Sequence, residues 1–471
     1  MVSGVLDYSV RMKETDLIMK IIKSVLAVSL LSSAGMAWSS NDLLAVYEQA
    51  VLNDPALKAE RQNLLATEEL PVQARAVLLP SIELKANTTK NKTRSSPTGF
   101  STGLGLSLRK SFNSHGYQLT LRQPVYNHTL FVGVKQVAAL VNQALSSYTA
   151  AEQELMVRAA DRYFSVLAAD DDLVFAKSEK ASIERQLEQA RQRFEVGLIA
   201  ITDIHEAQAR FDQAVAAEIT ADNVARRSRE ALREITFDYF EHLATLKEES
   251  PLLTPEPANI EAWVDTALAQ NARVQARVYA VEAALQDTRR QRAGHFPTVD
   301  LVGTQAFDSA NASRFSDGKT TAEDTFLAIE VKVPIFAGGL VNSRTREAGH
   351  RHAQAKDLLE QAQRELVRQT RESYLNIRSS ISSVTALRQA LVSSQSALDA
   401  TELGFKVGTR TSVDVLDSQR ELFRAKRALS KSRYEYILNT LRLKQSAGTL
   451  QPDDLAEVNE WLAAAEATPV E

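Results

Sequence analysis

Two patterns of apolar residues run along this chain, and each occurs twice. Over 125–250 and again over 335–451, apolar positions recur every three or four residues. Val137, Val141, Leu145, Tyr148, Leu155 and Ala159 mark the first tract; Leu366, Tyr374, Ile377, Ile381, Val384 and Leu391 mark the second. That period is the seam of helices packed as in a coiled coil. Both tracts lack proline and are rich in Ala, Leu, Gln, Glu and Arg, which favour helix. Each is interrupted once, by "FEVGLIAITDIHEAQ" from Phe194 and by "FKVGTRTSVDVLDSQ" from Phe405. Val-Gly followed by Thr202, or by Thr411 and Ser412, predicts a helix stop at Gly197 or Gly408 and a new N-cap. Each tract therefore reads as a long helical hairpin. A helix from Asn127 to Glu195 would be about 100 Å long at 1.5 Å per residue.

Ahead of each hairpin the period changes to two. Ile82, Leu84 and Ala86 alternate with Glu83, Lys85 and Asn87; Tyr117, Leu119 and Leu121 with Gln118, Thr120 and Arg122; Leu327, Ile329, Val331 and Val333 with Ala328, Glu330 and Lys332. Strands near 81–88, 117–125, 298–307 and 325–335 are predicted, and the polar segments 90–114 and 308–324 read as surface loops. One apolar and one charged face suits a half-buried soluble sheet, and equally a membrane barrel with lipid outside and water inside. "LPSIEL" at Leu79 is echoed by "FPTVDL" at Phe296, and "QPVY" at Gln123 by "VPIF" at Val333, so the duplication covers strands as well as helices.

The expected organisation is an N-terminal extension and signal peptide over 1–39, a first repeat over 40–250 and a Pro-rich linker over 251–258. A second repeat follows over 259–452, with a C-terminal tail over 453–471. Each repeat is read as helix, two strands and a helical hairpin, the hairpins being 126–250 and 336–451. The address lies in "MKIIKSVLAVSLLSSAGMAWSS" from Met19: two lysines, a short apolar run, then small residues, with cleavage after Ala37 or Ser39. No later stretch has the roughly 18–20 apolar residues of a membrane helix, so any membrane segment must be built of strands.

Composition narrows the function classes. In 471 residues there are only 17 Gly and 12 Pro, too few turns for many compact domains. The net charge of −4 is evenly spread and gives no footprint for nucleic acid. The absence of Cys removes disulfides, thiolate metal sites and a lipidated N-terminal Cys. His350 and His352, two apart on a predicted helix, point to different faces and do not share a metal. No H-E-x-x-H, no G-x-S-x-G and no phosphate-cradling glycine loop is present. Neither enzymatic activity nor a cofactor is expected.

The phrases "RFEVGLIAITD", "VGTRTSVDVLD", "VPIFAGGLVNS" and "SAGTLQPDDL", with the LPSIEL and FPTVDL pair, resemble the TolC family of Gram-negative outer-membrane exit ducts over roughly Leu43 to Leu450. The resemblance implies an α+β membrane protein, internally duplicated and homotrimeric. Each protomer would give four transmembrane strands to a 12-stranded barrel, continued by a long antiparallel coiled-coil tunnel in the periplasm. It implies passive export of drugs, small molecules or proteins, in tripartite efflux pumps and type I secretion. The partners would be a periplasmic membrane-fusion adaptor, an inner-membrane transporter of the RND, ABC or MFS type, and outer-membrane lipid. The two Val-Gly phrases become the periplasmic tips. By the same resemblance Asp414 and Asp417 line the aperture, and Arg410 latches the inner hairpin to Thr202 and Asp203. Val196, Gly197, Leu198, Val407, Gly408 and Thr409 would meet the adaptor. Phe405 departs from the family pattern, which has an aromatic hydroxyl there.

Asp414 and Asp417, three apart, share one helix face, and the plain reading of such a pair is solvated charge near a helix N-terminus. Brought together in three copies they would form a ring of carboxylates. Neighbours ~7 Å apart repel by about 2.4 kcal/mol at an effective dielectric of about 20. Arg410 reads equally as a solvated surface charge. The competing reading of the whole chain is a soluble periplasmic coiled-coil scaffold, which needs no barrel strands.

Overall fold

The computed structural model describes residues 41–95, 108–197, 199–240, 242–312 and 318–463. The signal-peptide region 1–39 and Leu198 lie outside the described residues. In chain order the elements are α1 (Leu43–Asn53), α2 (Pro55–Glu68), α3 (Leu70–Ala76), β1 (Ser81–Ser95), β2 (Leu108–Asn127), α4 (His128–Glu195) and α5 (Ile201–Thr236). Then come α6 (Ile260–Gln270), α7 (Ala272–Arg292), a single 3-10 turn, β3 (Thr298–Ala310), β4 (Thr320–Lys332), α8 (Leu340–Lys406), α9 (Ser412–Ala447) and α10 (Pro452–Glu460). No described helix is long and apolar enough to cross a membrane.

The four strands form one antiparallel sheet in the order β1-β2-β3-β4. The central pairing, β2 with β3, joins the two repeats, so the duplication is fused at the sheet as well as along the helices. Register runs unbroken from Ser81 opposite Arg122 to Ser95 opposite Leu108, and from Thr298 opposite Lys332 to Ala310 opposite Thr320. The segments 90–114 and 308–324 are thus partly strand, not wholly loop as their polarity suggested. Once a hairpin is in register its ladder satisfies backbone groups whatever the side chains, so a polar hairpin end still pairs. At the other end β4 stops at Lys332, short of the expected 335, where Pro334 has no N–H to give to a ladder. The bulge between Pro124 and Tyr126 has the same cause.

Directly opposed residues share a face, so register assigns the sheet's two sides. One side carries Ile82, Leu84, Leu119, Leu121, Leu301, Leu327, Ile329 and Val331; the other carries Glu83, Lys85, Gln118, Arg122, Asp300 and Glu330. The apolar side is bare: Leu84 is 66% exposed, Leu327 71% and Ile329 72%. On the polar side Arg122 spans two neighbouring strands, reaching Asp300 at 3.0 Å and Glu330 at 3.3 Å.

The 68-residue α4 and the 67-residue α8 are each about 100 Å long at 1.5 Å per residue. Each is too long for one partner. Helix α4 packs on α5 along one part and on α7 along another, while α8 packs on α9 and α7. Asn127, Asn259 and Asn271 cap the starts of α4, α6 and α7. Helix α5 ends at Thr236, ahead of the proline-rich stretch, with Phe237 in a left-handed cap at φ 61°. The expected tail, 453–471, begins inside α10 (Pro452–Glu460), whose Leu455 and Val458 are buried.

The main core lies where the shorter elements gather around the long helices: Leu43, Val46, Leu155, Tyr163, Phe164, Ile235, Ile437, Leu441 and Leu455. Residues 244–247 run beside 461–463, with Lys247 N donating to Trp461 O at 3.0 Å and Ala463 N to Thr245 O at 2.7 Å. The buried Tyr163 hydroxyl donates to Ala244 O at 2.7 Å, and burial pushes its pKa up. Toward the tips only small satellite clusters remain, around Ile183 and Leu187 and around Leu398 and Val415.

Candidate functional site

Both helical hairpins turn on a left-handed glycine, Gly197 at φ 76° and Gly408 at φ 82°. Any L side chain there pays the cost of a left-handed backbone, which is why Val-Gly recurs. In the first turn Gly197 N donates to Phe194 O at 2.8 Å; in the second, Gly408 N donates to Phe405 O at 3.2 Å and Thr409 N to Gly404 O at 2.8 Å. Val196 and Val407 stand 69% and 76% exposed beside them, apolar side chains on the outermost point of each hairpin. Thr409 and Arg410 are exposed as well.

The next helix starts differently in the two copies. Thr411 caps α9 with a full capping box: its hydroxyl accepts from Asp414 N at 3.2 Å, and the Asp414 carboxylate accepts from Thr411 N at 2.9 Å. In the first copy the cap position falls on Ala200, whose side chain accepts nothing, and Thr202 lies inside α5. The expectation of a cap at Thr202 is therefore corrected: the shared phrase preserves the stop glycine but not the start. Asp203 sits in the first turn of α5, where a negative charge faces the positive end of the helix dipole.

The capping box defines the state of Asp414. Its hydrogen bond from the Thr411 backbone, then that from the Thr411 hydroxyl, hold its pKa below the ordinary carboxylate value. Asp417, one turn on, is bound by Arg210 of α5 at 3.1 Å and approached by Arg420 at 3.7 Å. Within the protomer Arg210 to Asp417 is thus a charge tie between the two hairpins near their tips. Among the described residues of the single chain, Arg410 makes no hydrogen bond or ion pair with Thr202 or Asp203. Its stem instead lies over Gly404, where an added Cβ would stand 2.7 Å from Arg410 Cγ.

Phe405 has its own partner. The guanidinium of Arg193, from the last turn of α4, lies 4.2 Å from the centre of the Phe405 ring. A cation on a ring face is worth about 0.5–1 kcal/mol at an exposed site. Phe405 also packs onto the cluster of Leu398, Val415 and Leu422. Further from the tips the cross-hairpin ties continue, with Arg427 to Glu179 at 2.7 Å, Tyr434 Oη to Asp171 at 2.8 Å and Arg442 to Asp161 at 3.0 Å.

Three contributors were not singled out from the sequence: Arg193, Arg210 and Gly404. Gly404 was legible, as a second glycine four residues before Gly408 that leaves space for the Arg410 stem. Arg193 and Arg210 were not, because each meets a residue of the other repeat and no local spacing encodes that. No group of His, Cys, Asp and Glu able to hold a metal occurs among the described residues. Among the described residues the site sets no nucleophile against a base; what it offers is carboxylates, charge ties and exposed apolar turns.

A family model described as outer membrane efflux protein matches residues 46–236 and 263–449, one match for each repeat. The outer membrane protein TolC of Vibrio cholerae serotype O1 is 38% identical over 442 residues, 93% of this chain and 97% of that protein. The alkaline protease secretion protein AprF of Pseudomonas aeruginosa is 29% identical, over 88% of this chain and 85% of its own length. Among solved structures, the Campylobacter jejuni CmeC outer membrane channel superposes with a TM-score of 0.73 at 15% identity, covering 89% of each chain, a likeness of fold.

Proposed function

The chain belongs to the outer membrane efflux protein family, and on that premise we propose that it is a trimeric outer-membrane exit duct whose periplasmic end is gated by the second hairpin. The duct function and the outer-membrane location follow from the family and its relatives. The trimer, the gate and the docking surfaces are our reading. One observation carries it: a four-stranded sheet with a bare apolar face and two open edges is joined to paired helices about 100 Å long. An open edge in hydrocarbon leaves backbone groups unpaired, so the sheet must close with other copies. Three copies give 12 strands, with Arg122, Asp300 and Glu330 on the wet side.

At the other end the inner hairpin α8–α9 closes the tunnel and the outer hairpin α4–α5 packs outside it. Asp414 and Asp417 from three protomers form an acidic constriction that favours cations. The hairpins are held together by Arg210 to Asp417, by Arg193 on Phe405, and across protomers by Arg410 to Thr202 and Asp203. The exposed turns at Val196, Gly197, Val407, Gly408 and Thr409 receive a periplasmic membrane-fusion adaptor, which couples the duct to an inner-membrane transporter of the RND, ABC or MFS type. No bond is made or broken; cargo passes down a path opened by outward movement of the inner hairpins.

Planar-bilayer recording of the purified full chain tests this. A small, cation-selective conductance blocked by multivalent cations is expected. Absence of any conductance, together with release of the native protein from membranes by salt alone, would replace the duct with a peripheral coiled-coil scaffold.

A further inference from the structure

The sheet carries a second charge pattern that gating does not use. On the apolar side the stacked rings of Tyr117 and Phe307, 5.5 Å apart, stand at the level of Ala86, where the run Ile82, Leu84, Ala86 gives way to Thr88. Aromatic girdles of this kind mark the interface of membrane barrels. Beyond it β1 places Lys90, Lys92 and Arg94, all exposed, at alternate positions. Because register along β1 is unbroken, the three cations lie on the same side as Ile82 and Leu84, facing outward. The intervening Asn91 and Thr93 are uncharged, and Asn91 is bound inward to Ser114 at 2.9 Å. All the positive charge of this strand end is therefore aimed away from the lumen.

We propose that this outward face of β1 docks the phosphorylated sugar headgroups of an anionic glycolipid in the leaflet at that end of the barrel. The inference rests on the barrel reading above. A lumenal or random placement would scatter cations over both faces; this one stacks them immediately past the apolar band, where lipid headgroups lie. Lys90 and Arg94 are about 13 Å apart along the strand at about 3.3 Å per residue. That is the reach of a disaccharide bearing a phosphate at each end. Lys supplies point charges and Arg a forked pair of donors for phosphate oxygens. The directly opposed Asn113 of β2 and His115, opposite Thr88, add polar groups on the same side.

The test is binding of bisphosphorylated lipid A, with its dephosphorylated form as control, to the purified full chain in detergent micelles, where membrane orientation plays no part. The wild-type protein should retain the phosphorylated lipid far better, and the preference should fall with salt. Each cation near an anionic surface is worth about fivefold in affinity, so Lys90→Gln/Lys92→Gln/Arg94→Gln should lose roughly a hundredfold. Lys85→Gln, on the opposite face and paired with Glu83 at 3.3 Å, should lose nothing. Equal retention of both lipids by the wild-type protein overturns the proposal while leaving a barrel. Retention of neither lipid likewise overturns the proposal, whereas a monomer in the same micelles would overturn the barrel on which it rests. An unchanged preference in the triple variant transfers the phosphate to other residues and overturns the assignment.

Discussion

The two hairpin tips share a phrase and differ in what surrounds it. Both stop a helix at a left-handed glycine with an exposed valine beside it. Past the glycine, the first tip restarts on an uncapped Ala200, whereas the second restarts on a capping box between Thr411 and Asp414. The second also receives two ties from the first, Arg193 onto Phe405 and Arg210 onto Asp417. Duplication kept the backbone device and let the charges diverge. The hairpin assigned to move is the one that is held at several points by weak, reversible contacts.

The largest expected effect comes from removing the shared device. Gly408→Trp adds bulk to an exposed turn with nothing within 4 Å of the new Cβ, and forces a left-handed backbone costing roughly 1–2 kcal/mol. Trimers should still form, while drug export falls to the level of cells lacking the protein. Normal resistance and normal crosslinking to the adaptor would separate this turn from docking.

Loosening the ties comes next. Arg210→Ala and Arg410→Ser should each raise single-channel conductance severalfold, since the inner hairpin loses a charge-assisted contact. A conductance equal to wild type in either variant removes that arginine from the latch. Asp414→Asn with Asp417→Asn should instead lower cation selectivity and block by multivalent cations, with less change in pore size. Selectivity retained in the double variant would place the carboxylates off the conduction path.

A finer comparison lies in the ring contact. A double-mutant cycle of Arg193→Ala and Phe405→Ala should give a coupling of about 0.5–1 kcal/mol. Zero coupling would reduce Phe405 to a packing residue.

The smallest effects separate the caps. Thr411→Ala should destabilise the start of α9 by about 1 kcal/mol, and Ala200→Ser should stabilise the start of α5 by a similar amount. The Asp414 cap also has a pH sign. Its folded pKa lies below the unfolded value, so its contribution is complete above the ordinary carboxylate pKa and is lost as pH falls through the lowered one. Hydrogen exchange corrected for intrinsic rates should show protection at α9 residues 412–416 falling in acid, with little change at 201–205. Parallel loss at both tips would disconnect the effect from Asp414.

Local signals carried much of the fold. Periods of 3.6 and 2, the proline-free tracts and the Val-Gly stops are read within a few residues, so the long helices, the four strands and the glycine turns could be named from sequence alone. The residues proposed for docking and for the aperture were legible only as a repeated phrase and a family resemblance. What tertiary structure alone decided is everything that joins distant residues. It set the pairing of β2 with β3, the extension of the strands into polar segments, the partners Arg210 and Arg193, and the side of the sheet on which Lys90, Lys92 and Arg94 fall. The physical reason is range: a helix or a turn is stabilised by neighbours in the chain, whereas a register or a cross-hairpin ion pair exists only after the two repeats have been brought side by side.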